Sequence, residues 1–122
     1  MKVTRLGWMG VRTRQLDQMN SFYRDVLNLE ILSIDNESGR FKLGDGTEVH
    51  VYGQLDRNHD FFASGPVVAL EVDNFAAART RLLSAGIKFV YDQPQRASGR
   101  IWQHFIAPDG NVYEIIGNDV AT

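Results

Sequence analysis

The sequence predicts an α+β fold of two βαβββ modules, which form a curved mixed sheet around a cavity and carry their helices on the outer face. Three observations predict it: short alternating strands, two amphipathic helical stripes, and the same order of elements in each half. At 122 residues, the chain has the usual length of one domain. We expect a single domain, with module one at about 1–53, a linker at about 54–65 and module two at about 66–118.

Composition limits the possible partners and the compartment. The net charge is −2 and the basic residues are scattered, whereas nucleic-acid affinity comes mainly from phosphate neutralisation. No apolar run approaches the roughly 20 residues that cross a bilayer, and the first residues lack the apolar core of a signal peptide. Cysteine is absent, which excludes disulfides and thiol chemistry. We therefore expect a cytoplasmic protein without nucleic-acid or membrane partners.

The first half has the order strand, helix, strand and hairpin. An apolar stripe over 16–27 has helical spacing, with Asp17 predicted as its N-cap and Asn28 as a left-handed residue at its end. An Asp-Gly pair at 45–46 lies between two alternating runs and predicts a hairpin. The predicted strands are Leu6–Thr13, Leu29–Ile34, Arg40–Leu43 and Thr47–Tyr52.

The second half repeats this order. A helical stripe over Phe75–Ala85 stops at Gly86, and a second Asp-Gly pair at 109–110 predicts another hairpin. Residues 92–99 form a predicted polar loop, and the tail from Asn118 is expected to be loose. The predicted strands are Val67–Val72, Ile87–Tyr91, Ile101–Ile106 and Val112–Ile116.

The linker between the halves has little apolar periodicity. His59 lies there between polar residues, so we expect it to be solvated. Phe61 and Phe62 could cover the mouth of the cavity or a subunit interface.

Strand alternation predicts which residues face the cavity. Packing the valines of 47–52 under the helix turns their polar neighbours to the opposite face. A hairpin register that pairs His104 with Glu114 has its equivalent in the first half, where it pairs Arg40 with His50. Aromatic walls with a few polar groups are the usual lining of a small-molecule pocket. The predicted ligand-binding residues are Trp8, Arg12, Arg40, His50, Tyr52, Trp102, His104 and Glu114.

Motifs at both ends of the chain carry a family resemblance. They are Trp-Met-Gly-Val-Arg-Thr at 8–13, Asn-Ser-Phe-Tyr-Arg-Asp-Val-Leu-Asn-Leu at 20–29, and Ala-Pro-Asp-Gly-Asn-Val-Tyr-Glu-Ile-Ile at 107–116. Together they resemble the vicinal oxygen chelate superfamily, which includes glyoxalases, bleomycin and fosfomycin resistance proteins, extradiol dioxygenases and epimerases. The resemblance covers nearly the whole chain and implies two side-by-side βαβββ modules and a homodimer.

The resemblance also implies where a metal would bind. Metal-using members hold the ion with His or Glu at four equivalent strand positions, which fall here on Trp8, His50, Val67 and Glu114. Only two of these residues can ligate, whereas a catalytic divalent site usually has about three protein ligands. We therefore expect no metal and no other cofactor. A divalent metal held by His50, His104 and Glu114 is the alternative, and the same trio could instead transfer protons or simply line the cavity.

The predicted function is small-molecule binding without the usual metal site, with the ligand and any catalytic residue left open. The alternative is a metal-dependent lyase, isomerase or dioxygenase of the same superfamily. The roles of two tryptophans and two arginines each have two possible interpretations. Trp8 and Trp102 are either stacking walls or core residues, and Arg12 and Arg40 either clamp a carboxylate or phosphate or lie exposed on their strands.

Overall fold

The protein has a mixed α+β fold, as predicted, and the computed structural model describes residues 1–62, 65–108 and 110–120. The chain divides into two compact units. The first unit is Trp8–Val67, and the second combines Met1–Gly7 with Val68–Thr122. The strand β1 (Val3–Arg12) supplies residues to both units.

The first unit packs one helical segment on a four-stranded arrangement. The elements after β1 are α1 (Leu16–Ser21), a π-helical turn (Phe22–Val26), β2 (Glu30–Ile34), β3 (Ser38–Lys42) and β4 (Glu48–Tyr52). The strand order is β2-β3-β4-β1, with β4 parallel to β1 and the other neighbours antiparallel. The core between the helical segment and the strands includes Met9, Met19, Tyr23, Phe41 and Val49.

The first helix differs from its prediction at both ends. It begins at Leu16, and no side chain caps it, so the prediction that Asp17 is the N-cap is wrong and Asp17 lies in the first turn. The π-helical turn widens the backbone, so the apolar stripe leaves the core and Val26 is 69% exposed. Asn28 has a φ of 55°, which confirms the predicted left-handed residue.

The second unit packs α2 (Phe75–Ser84) on its own set of strands. The strands are β5 (Val67–Val72), β6 (Lys88–Phe89), β7 (Gln95–Ala97), β8 (Arg100–Ile106) and β9 (Val112–Asn118). Their order is β5-β9-β8-β6, with β5 parallel to β9, and β7 also pairs with β8. The side chain of Asn74 caps the helix by accepting from the backbone N of Ala77 at 3.0 Å.

Three predictions in the second unit are wrong in part. The strand predicted over 87–91 shrinks to β6, and the predicted loop over 92–99 contains β7. After β6, a side chain takes over from backbone pairing, because Gln103 donates to the carbonyl of Tyr91 at 2.8 Å. The predicted loose tail is wrong at Asn118, which ends β9, and its last two residues, 121–122, lie outside the described residues.

The predicted hairpin registers are confirmed in both units. Arg40 is the partner of His50 between β3 and β4, and His104 is the partner of Glu114 between β8 and β9. These four residues share the strand faces opposite the helices, because the alternate positions fill the two cores. Within the described ranges, neither helix has the length and apolar character needed to span a membrane.

Candidate functional site

In the first unit, Trp8 lies against His50 on the face opposite the helix. Gly10 is the strand partner of His50, and a Cβ there would overlap the Trp8 ring, so the missing side chain lets the indole lie across the strand. The two rings are stacked with centroids 5.1 Å apart and planes 8° apart. The first and second ligand positions of the superfamily are therefore neighbours here, and a tryptophan fills one of them.

His50 is held by hydrogen bonds at both ring nitrogens. Its Nε2 lies 2.8 Å from Oε1 of Glu48, and its Nδ1 lies 2.8 Å from the hydroxyl of Tyr52. A carboxylate can only accept, so the neutral ring carries its proton on Nε2 and Nδ1 accepts from Tyr52. Arg40 donates to the same Glu48 oxygen at 2.9 Å and completes a row of hydrogen bonds from Arg40 to Tyr52. Alternate residues of one strand thus fix the orientation and the tautomer of His50.

Burial and charge favour a neutral His50 beside an ionised Glu48. Burial lowers the pKa of His50, and the hydrogen bond to Glu48 offsets this only in part. Burial opposes the charge on Glu48 as well, but hydrogen bonds from His50 and Arg40 outweigh it and lower the pKa of that carboxyl group. The pair is therefore a carboxylate and a neutral imidazole at neutral pH.

Segment 54–62, predicted as part of the linker, packs its rings onto these strands. His59 stacks on Tyr52 with centroids 3.7 Å apart and planes 12° apart, so the expectation that His59 is solvated is wrong. The cause is Asp56, whose carboxylate holds the His59 ring through Nδ1 at 3.0 Å. Phe62 lies edge-on to Tyr52 and nearly parallel to Trp8. We call Trp8, His50, Tyr52, His59 and Phe62 the aromatic face.

The two arginines predicted to bind a ligand contact protein groups instead. Arg12 donates to the backbone carbonyls of Asp56 and Asp60, both at 3.4 Å. It therefore braces segment 54–62, which differs from both interpretations of this residue. Arg40 forms a half-exposed ion pair with Glu48.

In the second unit, His104 and Glu114 form a buried pair. His104 Nε2 lies 3.2 Å from Glu114 Oε1, and the two residues are 6% and 1% exposed. His104 is therefore not solvent-facing. Trp102 shares this strand face, and its indole N–H donates to the side chain of Gln95 at 2.8 Å.

The four superfamily positions do not fit a metal here. The side chains of Trp8 and Val67 have no atom that can coordinate a metal ion. Both ring nitrogens of His50 form hydrogen bonds within the protein, and Glu114 lies against His104. Across residues 1–62, 65–108 and 110–120, no group of three or more histidine or acidic side chains is arranged to hold an ion. His50 lies in the first unit and the other two members of the predicted trio lie in the second.

Comparison with known proteins gives the family. Residues 5–115 match the model of the Glyoxalase/Bleomycin resistance protein/Dioxygenase superfamily. The chain belongs to this superfamily. The match covers nearly the whole sequence and confirms the resemblance carried by the end motifs. No curated protein matches the chain.

Solved structures of the superfamily fold share its architecture at low sequence identity. Methylmalonyl-CoA epimerase from Mycobacterium tuberculosis is 20% identical, with a TM-score of 0.75 over 97% of this chain and 90% of that one. A variant of the Streptomyces coelicolor methylmalonyl-CoA epimerase, in complex with 2-nitronate-propionyl-CoA, is 16% identical, with a TM-score of 0.72 over 98% and 100%. A structure named as NAD-dependent benzaldehyde dehydrogenase from Legionella pneumophila is 12% identical, with a TM-score of 0.66 over 92% and 98%. Such different names at this identity support the fold alone.

Sequence reasoning missed part of the arrangement around His50. Glu48 follows from strand alternation, since it lies two residues from His50 on the same face, yet it was not among the predicted ligand-binding residues. Asp56, His59 and Phe62 have no periodic signal, because they lie in a segment without regular strands or helices. The Asp-x-x-His spacing is the one local pattern that could have indicated the ring held by Asp56.

Proposed function

We propose that this protein binds a small organic molecule at the aromatic face of the first unit, without a resident metal. The observation that carries the proposal is the double hydrogen bonding of His50, with Trp8 stacked against its ring. Concave or pleated surfaces that combine aromatic rings with a few fixed polar groups suit small ligands. Trp8, His50 and Tyr52 supply the rings, and Glu48 with Arg40 supplies charge at the rim.

Metal binding would oppose the contacts of His50. A metal ligand needs one ring nitrogen with a free lone pair, and the second nitrogen usually donates to a carboxylate or carbonyl. In His50, Nε2 fills the second role with Glu48, while Nδ1 already accepts from Tyr52. Coordination would cost the Tyr52 hydrogen bond and would still lack two of the superfamily ligands. The contacts of His50 therefore favour metal-independent binding over the lyase, isomerase or dioxygenase alternative.

The first ligands to test come from proteins with the same fold. The Streptomyces coelicolor structure contains 2-nitronate-propionyl-CoA, so acyl-CoA thioesters are a sensible first panel.

The second part of the proposal is a homodimer in the cytoplasm. Exposed apolar residues on β2 and the preceding turn support self-association, and they include Val26, Ile31, Leu32 and Ile34.

Two titrations test the proposal. The chain has two tryptophans, so a Trp102→Phe variant leaves Trp8 as the sole indole reporter, and a Trp8→Phe variant is the matched control. We expect saturable quenching of Trp8 emission by a member of an acyl-CoA panel, and no change in the control.

We also expect isothermal titration with Zn²⁺, Ni²⁺, Mn²⁺ and Fe²⁺ to show no tight stoichiometric binding. Tight binding of one ion per chain, lost in His50→Ala, would overturn the metal-independent proposal. Light scattering coupled to gel filtration measures the dimer.

A further inference from the structure

Segment 54–62 covers the strand residues of the aromatic face with its own rings. The His59 ring lies on Tyr52 at van der Waals separation, and Phe62 closes one side of the His59 ring at 5.2 Å between centroids. Tyr52 and Phe62 are 8% and 4% exposed. An incoming flat ring would therefore meet His59 in the place where stacking on Tyr52 is best.

The segment is held by few and mostly local bonds. The carboxylate of Asp56 accepts from the backbone N of Asn58 and His59 and from the His59 ring, at 2.8–3.1 Å. Arg12 adds two long bonds, and no strand ladder runs through the segment. Segments with few backbone hydrogen bonds to the rest of a protein open at low free-energy cost. Asp56 is thus the main anchor of the His59 ring.

We propose that His59 acts as an internal mimic of the ligand, and that the ligand carries a flat aromatic or heteroaromatic ring that displaces it from Tyr52. The inference rests on the proposed function, because it concerns the same face. It adds the class of ligand and a built-in competitor. The apparent affinity for such a ring is then reduced by the fraction of molecules in which the segment is open.

Loosening the segment should therefore tighten ligand binding. The probe is indole, titrated into the ¹⁵N-labelled full chain and followed by the amide signals of Tyr52 and its strand neighbours, with cyclohexanol as a non-planar comparison. The variants are Asp56→Ala, which removes the anchor, and His59→Gln, which removes the ring and keeps a polar side chain. The matched control is Asp35→Ala, because Asp35 also accepts from two backbone N–H groups, but in the turn between β2 and β3.

We expect Asp56→Ala and His59→Gln to bind indole about tenfold more tightly than the unmodified chain, as removal of an internal competitor requires. We expect Asp35→Ala to leave the affinity unchanged and cyclohexanol to bind in none. Equal or weaker indole binding in a folded His59→Gln variant would overturn the inference. The proposed function is decided separately by the acyl-CoA panel and the metal titrations. Quenching of Trp8 by an acyl-CoA, without tighter indole binding in the variants, would reject only the role of His59 as an internal competitor.

Discussion

Removing the Tyr52 hydroxyl is the sharpest test of the hydrogen bonds that link Glu48, His50 and Tyr52. In Tyr52→Phe the ring and its stacking on His59 remain, and only the O–H that donates to His50 Nδ1 is lost. The His50 side chain is 14% exposed and Trp8 stacks on its ring, which limits the access of water that could replace the donor. Glu48 keeps the proton on Nε2, so His50 cannot satisfy Nδ1 by changing tautomer.

The expected cost follows from these contacts. A buried acceptor left without a donor costs about 1–3 kcal/mol, and we expect about 1–2 kcal/mol here because His50 retains some exposure. For a chain of this length, this corresponds to a decrease of about 4–8 °C in Tm.

Urea unfolding with a global fit is the assay, and an unchanged m-value shows that the unfolded state is unaffected. Tyr113→Phe is the matched control, because the Tyr113 ring stacks on Phe105 and its hydroxyl has no hydrogen bond within the part of the chain that the structure describes. We expect the control to stay within about 0.5 kcal/mol of the unmodified protein. A Tyr52→Phe variant as stable as the control, or long-range ¹⁵N spectra showing His50 protonated on Nδ1, would refute this arrangement of hydrogen bonds between Glu48, His50 and Tyr52.

Three further predictions concern stability. Because burial holds the pKa of His50 below its usual 6.5, the unfolded state takes up its proton first, so the free energy of unfolding should fall as the pH drops below about 6.5. Urea unfolding at pH 7.5 and 5.5 measures this, and an equal slope in His50→Gln would contradict it. Gly10→Ala should cost about 1–3 kcal/mol in thermal unfolding, since a Cβ there overlaps the tryptophan ring, whereas Gly44→Ala, with open space around it, should not. Glu71→Gln removes the carboxylate to which one Arg100 nitrogen donates, at 2.6 and 2.7 Å from its two oxygens, and we expect a cost of about 1–3 kcal/mol in the same assay. Unchanged stability of Glu71→Gln would contradict the role of the pair.

The sequence predicted the strand faces because the apolar alternation is clear where one face is buried. In β4, valines at every second position fill the core, so a one-residue shift would have buried Glu48 and His50 under the helix. The hairpin registers followed from the predicted loops between the strands, and the pairs Arg40–His50 and His104–Glu114 are confirmed, whereas Asp109 of the second predicted Asp-Gly pair lies outside the described residues. Periodicity and turn chemistry therefore position most residues of the candidate site.

The sequence could not predict the features that depend on side-chain partners distant in sequence. His59 has polar neighbours, which favours a solvated residue, yet Asp56 and Tyr52 hold its ring on a strand face. The short β6 has a similar cause, because Arg79 and Gln103 hold the backbone of 91–92 through side chains. Such contacts form only after the strands are in place, so apart from the Asp-x-x-His spacing no local pattern in the sequence indicates them.

The two superfamily ligand positions that keep a suitable side chain each have a partner within their own unit. His50 is bonded by Glu48 and Tyr52, and Glu114 lies against His104. Buried polar groups need hydrogen-bond partners, and a histidine or carboxylate that no longer contacts a metal must find them among its neighbours. Glu48 and Tyr52 supply them to His50 from two residues away along β4, and His104 lies 3.2 Å from Glu114 directly across the hairpin between β8 and β9. A metal ligand placed beside His50 would thus not suffice by itself, because Tyr52 would still compete for Nδ1 of His50. We therefore expect a Trp8→His variant to bind Zn²⁺ weakly, and Tyr52→Phe in that background to strengthen the binding measured by isothermal titration.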